Sequence, residues 1–334
     1  MKRLSVISTV LGALGLVAAF VLWQLPASDF ILVPDRAKPL AERVTVEGAH
    51  PAGEDGVYYV DVFVRRTSLL EDLLPFTRPD GSTVLPEHAL LPPGTTEQER
   101  DRQNEEDMER SERVASAVAL RALGYEVDAR PTGILVTGVA PDAPASGKIE
   151  QGDVVVGVDG VPVRTPDRLR AEIGRRTPGD EVRLAVRRAG RRIEVTVGTV
   201  PSPDDPDRPI VGIQVDQAAD IELPIEVGID LGPVGGPSAG LPFALEIARK
   251  LGRDVTRGCR VAATGALALD GSVIPVGALQ QKTHGARRSD VDLFVVPEGE
   301  NAATAREHAD DVQVIPVETF QQALRALTTG PPKC

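Results

Sequence analysis

The stretch Gly235-Gly236-Pro237-Ser238-Ala239-Gly240 is the feature that most restricts how this chain can fold. Its two adjacent glycines allow positive φ angles and a close approach of the backbone to a neighbouring group. Pro237 pre-sets φ for a first helical turn and gives up only an N–H that would have no partner there. Apolar residues then follow at helical spacing, before a stop at Gly252: Leu241, Leu245, Ala248 and Leu251. The sequence therefore predicts a sharp turn that leads into a helix, with Ser238 at the helix N-terminus.

Ser238 has two interpretations at this position. Free backbone N–H groups and the helix dipole favour negative charge at a helix N-terminus. A serine nucleophile that attacks a carbonyl needs such donors for its oxyanion. The simpler interpretation is a capping serine beside a glycine turn, because serine is among the best N-cap residues. On this stretch alone both interpretations stay open.

Lys282 is the second candidate, on a helix predicted over 278–288. Leu279, Lys282 and Ala286 share one face of that helix, so the lysine lies among apolar and small side chains. Burial lowers the pKa of an amine, as a neutral general base requires, whereas arginine cannot lose its proton. Only six of the 37 basic residues are lysines, which makes a lysine here informative. The open alternative is a lysine whose stem packs and whose ammonium group reaches water.

The N-terminus carries an apolar run without charge. Leu4–Leu25 comprises 22 residues, and as a helix they would span about 33 Å, enough to cross a hydrocarbon core. Lys2 and Arg3 before the run predict a cytoplasmic N-terminus and an extracytoplasmic location for the residues after it. The run is long for a signal peptide, and Leu25-Pro26-Ala27-Ser28 is a poor cleavage site. We therefore expect a single-pass anchor over residues 1–28, with a cleaved signal peptide as the alternative.

Charge and motif content exclude several other classes. The net charge of -12 argues against nucleic acid as a partner. Cys259 and Cys334 predict neither a disulfide framework nor a metal site, and the four histidines form no metal-binding motif. The chain contains no Gly-x4-Gly-Lys-Ser/Thr loop, so we expect neither ATP nor any other cofactor.

Turn residues and charge divide the rest of the chain. Residues 29–123 predict an α+β segment, with a strand at 57–64 preceded by a Glu54-Asp55-Gly56 turn and a charged helix at 96–123. The acidic half of that helix is most simply a solvated face. Short strands and turns occupy 124–200, and the proline-rich stretch 201–209 predicts a linker. A second globular unit is expected over 210–330.

The middle segment contains GILVTGVAPDAPAS followed by IEQGDVVVGVDGVPV, and this pattern resembles a PDZ domain. The resemblance implies capture of a peptide by strand addition, with its C-terminal carboxylate near Thr132-Gly133. The residues expected beside the peptide are Gly133, Ile134, Leu135 and Val136. The alternative is a small β domain that only spaces the C-terminal unit from the membrane.

The C-terminal segment contains Gly-Pro-Ser-Ala-Gly, then Thr-Gly-x-Leu, Asp-Gly-x-Val-x-Pro-Val-Gly and a lysine. This order resembles the proteolytic domain of the Lon family, serine proteases with a Ser–Lys dyad, from about Gly228 to Pro297. The resemblance implies that Ser238 is the nucleophile, Lys282 the general base and Thr264 the threonine beside the dyad. Backbone N–H groups around Gly236 and Ser238 would then bind the oxyanion. The family often has Asp before Gly-Pro-Ser and Glu after Thr-Gly, where this chain has a glycine and Ala266.

The predicted fold class is multidomain α+β, with an N-terminal transmembrane helix, a PDZ-like β-rich domain and a Lon-type α/β proteolytic domain. The whole chain resembles the PDZ-containing Lon-like proteases of bacteria. That resemblance implies an ATP-independent, membrane-anchored serine endopeptidase acting on extracytoplasmic protein or peptide substrates. Whether the PDZ-like unit delivers substrate or inhibits, and whether the chain forms a homo-oligomer, stays open.

Two rival functions remain. The first is a Ser–His–Asp triad through His284, which projects roughly 200° away from Lys282 on the same helix. The second is a non-catalytic PDZ scaffold or regulatory protein that retains the protease fold.

Overall fold

The computed structural model describes residues 2–49, 56–91, 96–203, 205–232, 234–329 and 334, and of residues 2–11 it describes the backbone alone. The described chain forms two compact units. The outer unit contains Met1–Ala119, Val227–Leu267 and Gly271–Cys334, and the inserted unit contains Leu120–Glu226 and Ala268–Asp270. The N-terminal segment, which the sequence predicts as a separate part, therefore folds together with the C-terminal segment.

The outer unit begins with a helix and short strands. Helix α1 spans Lys2–Gln24, and among the helical residues that the structure describes no stretch is both long and apolar enough to cross a membrane. The next elements are the strands β1 (Pro26–Pro34), β2 (Lys38–Pro39), β3 (Val44–Val46), β4 (Val57–Tyr59), β5 (Val62–Ser68) and β6 (Thr83–Leu85). Strands β5, β1 and β6 form an antiparallel sheet in that order.

The strand predicted over 57–64 is in fact two strands, β4 and β5, which belong to different sheets and are separated at Val60-Asp61. Of the turn predicted before it, Glu54 and Asp55 lie outside the described residues.

Three helices complete the N-terminal part of the outer unit: α2 (Leu69–Leu73), α3 (Glu87–Leu90) and α4 (Glu97–Ala122). Helix α4 agrees with the helix predicted over 96–123. Thr96 begins it with a capping box, because its hydroxyl accepts from the Glu99 N–H while the Glu99 carboxylate accepts from the Thr96 N–H. The buried face of α4 carries Met108, Val114, Ala115 and Val118.

The inserted unit is a β-rich domain with one helix. Its elements are β7 (Asp128–Val139), β8 (Val154–Val158), β9 (Val161–Pro162), α5 (Pro166–Ile173), β10 (Glu181–Arg188), β11 (Arg191–Gly198), β12 (Val200–Ser202), β13 (Asp205–Ile210) and β14 (Ile213–Glu222). The main sheet has the order β11-β10-β8-β7-β14, and β9 pairs with β8. Branched side chains such as Ile134, Val155 and Leu184 fill its core.

The prediction of a linker over 201–209 is wrong. Strands β12 and β13 pair with each other in this region, and β14 pairs with β7 along its length, from Ile213 opposite Val139 to Glu222 opposite Asp128. Ile213 and Val215 pack against the core of the inserted unit. The first residues after 210 therefore belong to this unit, because their backbone hydrogen bonds and apolar side chains are satisfied there.

The remaining elements return to the outer unit. They are β15 (Val227–Ile229), α6 (Gly240–Lys250), β16 (Val261–Ala263), β17 (Ala266–Leu267), β18 (Val273–Ile274), α7 (Leu279–Arg287), β19 (Leu293–Pro297), α8 (Glu300–His308), β20 (Gln313–Val317) and α9 (Phe320–Thr328). Helices α6 and α7 agree with the predicted helices, and β17 pairs with β18 on the two sides of Asp270-Gly271. Strand β15 pairs with β3.

A five-stranded sheet of order β2-β4-β16-β19-β20 organises the outer unit. Strands β4, β16, β19 and β20 run parallel, and β2 is an antiparallel edge strand. Every residue of β16 and β19 is buried, as expected for parallel strands covered on both faces. The carboxyl ends of parallel strands meet at one edge of the sheet, where α/β folds place their sites.

Cys259 and Cys334 form a disulfide, with a Cα–Cα distance of 5.6 Å. The sequence predicts no disulfide framework from these two cysteines, and the structure joins them in this single bridge. Their separation of 75 residues in sequence contains no information about proximity, which arises only because Cys334 lies beside the loop that precedes β16.

Candidate active site

The turn before α6 brings Ser238 to the start of that helix. Gly236 has φ 90°, and Pro237–Ala239 form a short 3₁₀ turn that continues into α6. A Cβ atom on Gly235 would lie 2.6 Å from the Asn104 Cβ, so only glycine fits against α4 at this point. These contacts explain why the sequence needs two glycines here: one for its positive φ and one for a close approach.

Neighbouring backbone and hydroxyl groups hold the turn in place. The Ser111 hydroxyl donates to the Pro237 carbonyl at 3.1 Å, and the Gly236 N–H donates to the Asn104 carbonyl at 2.8 Å. That second bond contradicts the predicted use of the Gly236 N–H as an oxyanion donor, because this hydrogen already has a partner. Gly236 supports the site through its backbone conformation instead.

Thr264 connects the two candidate catalytic residues. It is fully buried directly after β16, and its hydroxyl donates to the Ser238 carbonyl at 3.3 Å. The Lys282 Nζ donates to the same Thr264 Oγ1, also at 3.3 Å. The Gly265 N–H adds a further bond to the Ser238 carbonyl at 2.9 Å. The loop after β16 thus fixes the serine backbone on one side and receives the lysine on the other.

Lys282 lies on the buried face of α7, with 5% of its surface exposed. Desolvation by burial lowers the pKa of Lys282 to about 8, and the negative charge of Asp61 opposes that shift in part. About one molecule in ten then has a neutral amine at pH 7, and about nine in ten at pH 9. A lysine in this setting can take up a proton within the range in which enzymes work.

Ser238 and Lys282 line one cavity of about 570 Å³. Its wall also includes Gly235 and Ala239 from the turn, and charged residues from the edge of the large sheet. Exposed Phe63 and Val64 and buried Met108 supply apolar surface. A carbonyl substrate can enter a cavity of this kind and lie beside the serine at the start of the helix. The buried amine on the same cavity can then accept the proton of the serine hydroxyl.

His284 belongs to a different cavity. It lines a separate space of about 740 Å³ with Asp80, Arg287 and Asp310, and its ring centroid lies 5.6 Å from that of His308. Burial and the nearby Arg287 lower the pKa of His284. The structure therefore brings Ser238 together with Lys282 and Thr264, while His284 lines none of the cavity that contains Ser238.

The predicted peptide-binding residues Gly133, Ile134, Leu135 and Val136 lie in β7, which has partners on both sides. Ile134 pairs with Val155 of β8 and with Gln217 of β14. A peptide cannot add a strand beside these residues unless β14 leaves. The predicted peptide site beside β7 is wrong because β14 pairs with that edge of β7, a long-range pairing that the sequence pattern does not indicate.

The outermost strand on that side of the sheet is β14. Among the described strands it pairs with β7 alone, and it contacts α5; peptide addition uses the outermost strand of a sheet.

The sequence did not identify Asp61, Lys38 and Asp35, which line the cavity of Ser238 and Lys282. The Lys38 Nζ contacts the Asp61 Oδ2 at 2.9 Å and the Asp35 Oδ2 at 2.8 Å. The one available signal was a carboxylate directly after a buried strand. In the part of the chain that the structure describes, no group of three or more His, Cys, Asp or Glu side chains is arranged to hold a metal ion.

Two segments of the chain match known protein families. Residues 121–199 match the PDZ domain family, and residues 210–329 match the Lon protease (S16) C-terminal proteolytic domain. Over 72 residues the chain is 34% identical to Lon protease 2 of Bacillus subtilis, covering 22% of this chain and 13% of that protein. Over 75 residues it is 43% identical to a probable periplasmic DegP-like serine endoprotease of Halomonas elongata, covering 22% and 16%.

A third relative is the magnetosome formation protease MamE of Magnetospirillum gryphiswaldense, 39% identical over 71 residues, which covers 21% of this chain and 9% of MamE. The chain thus spans less than a fifth of the length of these curated relatives. Among solved structures, the PDZ domain of an SdrC-like protein from Listeria innocua covers 25% of this chain and 92% of its own, at 23% identity and a TM-score of 0.24.

The matched regions are similar to a PDZ domain and to a Lon C-terminal proteolytic domain, and each match covers less than half of the chain. The printed name of the Halomonas elongata relative describes that protein as periplasmic.

Proposed function

We propose that this chain is an ATP-independent serine endopeptidase in which Ser238 is the nucleophile and Lys282 the general base. The observation that carries the proposal is the buried amine of Lys282 on the same cavity as Ser238, joined to the serine backbone through Thr264. A neutral amine is the only form of lysine that can accept a proton, and burial favours that form.

In the proposed reaction, neutral Lys282 takes the hydroxyl proton of Ser238 while the Oγ bonds to a peptide carbonyl carbon. The carbonyl π electrons move to the oxygen and form a tetrahedral oxyanion. When this intermediate collapses, the C–N bond breaks, and the Lys282 ammonium gives its proton to the leaving amine. An ester between Ser238 and the acyl part of the substrate remains. Water then attacks that ester with Lys282 again as the base, which releases a carboxylate product and the free serine.

Backbone N–H groups at the start of α6 are the proposed oxyanion donors. The Ser238 N–H is the candidate at the nucleophile itself, since Pro237 has no N–H and the Gly236 N–H is occupied by the Asn104 carbonyl. Donors at a helix N-terminus also benefit from the helix dipole. The helix therefore contributes to catalysis through its orientation as well as through the position of the serine.

The proposed PDZ function is capture of protein or peptide segments at the free edge of β14. Pairing of both β7 edges at Ile134 supports this site over the one beside β7. Hydrogen exchange with hydrophobic C-terminal peptides tests it. Added peptide should slow amide exchange in residues 213–222 and leave 134–136 unchanged. Slower exchange confined to 134–136, with faster exchange in 213–222, would instead mean that the peptide displaces β14.

The proposed location of the catalytic unit is extracytoplasmic, with residues 1–28 as an uncleaved anchor and the N-terminus in the cytoplasm. The uncharged run behind Lys2-Arg3 supports the orientation. The disulfide between Cys259 and Cys334 supports an oxidising compartment, because disulfides rarely persist in the cytosol. Protein isolated from membranes should keep Lys2 and resist iodoacetamide until it is reduced. An N-terminus near Ser28, or free thiols in freshly isolated protein, would contradict this location.

Hydrolysis of casein by the purified full chain tests the proposed activity. The wild-type protein should cleave casein without nucleotide, and Ser238→Ala and Lys282→Arg should both be inactive although folded. Lys282→Arg keeps the positive charge but cannot supply a neutral base, so its activity should fall about 10²–10⁴-fold. The rival function, a scaffold that binds peptides without cleaving them, predicts no casein hydrolysis by any of the three proteins.

A further inference from the structure

Asp61 lies at the sheet edge that carries the candidate site. Strands β4 and β16 are parallel neighbours, with Val57 opposite Val261 and Tyr59 opposite Ala263. Continuing that register by two residues puts Asp61 level with Gly265, next to Thr264. The carboxylate therefore leaves β4 at the same end at which β16 delivers the threonine that receives Lys282.

The two carboxylate oxygens of Asp61 have different surroundings. Oδ2 accepts from the Lys38 Nζ at 2.9 Å, and Lys38 in turn contacts Asp35 at 2.8 Å. Oδ1 is buried and has no hydrogen-bond partner among the described residues. A buried acceptor without a hydrogen bond lowers the stability of the fold, so a functional role for this carboxylate would explain why it is present. Lys38 therefore holds the side chain through Oδ2, while the buried Oδ1 has no partner among the described residues.

Asp61 acts electrostatically on Lys282 across the shared cavity. Both residues line it together with Ser238, and the negative charge of Asp61 favours the ammonium form of Lys282. The other charged or titratable groups on this cavity are Asp35, Lys38, Arg43 and Tyr59. On α7 itself, His284 lines the separate cavity with Asp80 and Arg287. Among the charged groups that the structure describes, the Asp61 carboxylate is the one that favours protonated Lys282.

We propose that Asp61, held by Lys38, is a positioning residue for the general base: its carboxylate stabilises the protonated amine of Lys282 in the resting enzyme. This proposal rests on the dyad proposed above. Asp61 thereby limits the fraction of enzyme whose lysine can accept the Ser238 proton at a given pH. The opposite possibility is that Asp61 serves only as a structural partner for Lys38.

The test compares Asp61→Asn with Asp35→Asn in the full chain. Each substitution removes one negative charge and one ion pair from Lys38, so the two variants match in their effect on Lys38. In the wild type, kcat/KM should rise with pH through about 8. In Asp61→Asn the midpoint of this rise should shift to a pH about one unit lower. The ratio of activity at pH 7 to activity at pH 9 should therefore increase about five-fold. Asp35→Asn should leave the midpoint unchanged.

A direct titration separates this proposal from the proposed activity. The chain has six lysines, so Cε-labelled lysine gives few NMR signals, and Lys282→Met identifies the relevant one. The Lys282 signal should titrate about one pH unit lower in Asp61→Asn than in the wild type. If Lys282→Arg hydrolyses casein at the wild-type rate, the dyad is wrong, and the NMR midpoint still decides whether Asp61 controls the amine.

Lys38→Met provides a second variant should Asp61→Asn fail to fold. Without Lys38 the Asp61 charge is no longer neutralised. The titration midpoint of Lys282 should therefore move to higher pH, opposite to the shift expected in Asp61→Asn. Midpoints that are the same in the wild type and Asp61→Asn, or shifted equally by Asp35→Asn, would overturn the proposal. A lower activity plateau in Asp61→Asn, with the midpoint of the pH profile unchanged, would assign Asp61 a structural role only. That result would also overturn the proposal.

Discussion

Replacing Lys282 by methionine should abolish activity and yet stabilise the fold. Burial lowers the pKa of this lysine from 10.5 to about 8, and each pKa unit corresponds to about 1.4 kcal/mol between the two protonation states. At pH 7 the folded protein must bury a charge that the unfolded chain keeps in water, at a cost of roughly 3 kcal/mol. Methionine has a similar length and no charge. We therefore expect Lys282→Met to raise the free energy of unfolding at pH 7 by about 2–3 kcal/mol, after allowance for the lost bond to Thr264.

The sign of the pH dependence makes this prediction specific. Between pH 8 and pH 10.5 the unfolded chain binds more protons at Lys282 than the folded chain does, so wild-type stability gains with pH from this group. The advantage of Lys282→Met should accordingly shrink by about 2 kcal/mol between pH 7 and pH 9.5.

Urea unfolding followed by circular dichroism at several pH values measures this difference. Lys148→Met is the control, because Lys148 is exposed and its replacement should change stability by less than about 0.5 kcal/mol. A Lys282→Met variant that is no more stable than the wild type at pH 7 would contradict a destabilising buried charge on Lys282. A difference in free energy of unfolding that is the same at every pH would contradict it as well.

The same contacts give three further predictions. The kcat/KM of the wild type should increase about ten-fold from pH 7 to pH 9 as Lys282 loses its proton, and His284→Gln should keep that rise; loss of activity in a folded His284→Gln would favour a histidine base. Thr264→Val removes the hydroxyl between Lys282 and Ser238 and should lower kcat/KM about 10²-fold, and Thr264→Ser should recover much of that loss. Equal rates in Thr264→Val and the wild type would mean that Thr264 contributes by packing alone. The fully buried Glu246 carboxylate on α6 accepts from the Arg249 guanidinium at 2.8 Å and from the Val57 N–H at 3.1 Å. Glu246→Ala should cost about 3–5 kcal/mol in urea unfolding, because the largely buried Arg249 charge and the Val57 N–H then lose this acceptor; a loss below about 1 kcal/mol would contradict a structural role for Glu246.

Local signals in the sequence were sufficient for the two helices that carry the candidate site. Glycine, proline and helical spacing predict the turn at Ser238 and the beginning of α6, since these residues restrict the backbone directly. The spacing of Leu279 and Ala286 around Lys282 places the lysine on an apolar face but leaves open whether its amine is buried or reaches water, and the structure shows it buried. Local signals could not supply the proximity of the two helices, which the Lon resemblance implied and the parallel sheet provides.

Long-range pairing explains the features that the sequence could not predict. Strand β4 pairs with β16 although about 200 residues separate them, so the position of Asp61 beside Thr264 depends on the sheet order and not on any motif. The same holds for β14, whose proline-rich approach resembles a linker until its pairing with β7 is known. The disulfide of Cys259 with Cys334 is a further contact that spacing alone cannot specify.

The rate at which a peptide phosphonate modifies Ser238 measures directly whether a neutral Lys282 activates this serine. Intact mass and peptide mapping of the full chain report both the modified residue and the second-order rate constant. The account predicts one adduct on Ser238, formed about ten-fold faster at pH 9 than at pH 7, and no adduct in Ser238→Ala or Lys282→Arg. An adduct on another residue, or labelling of Lys282→Arg at the wild-type rate, would contradict activation of Ser238 by a neutral Lys282.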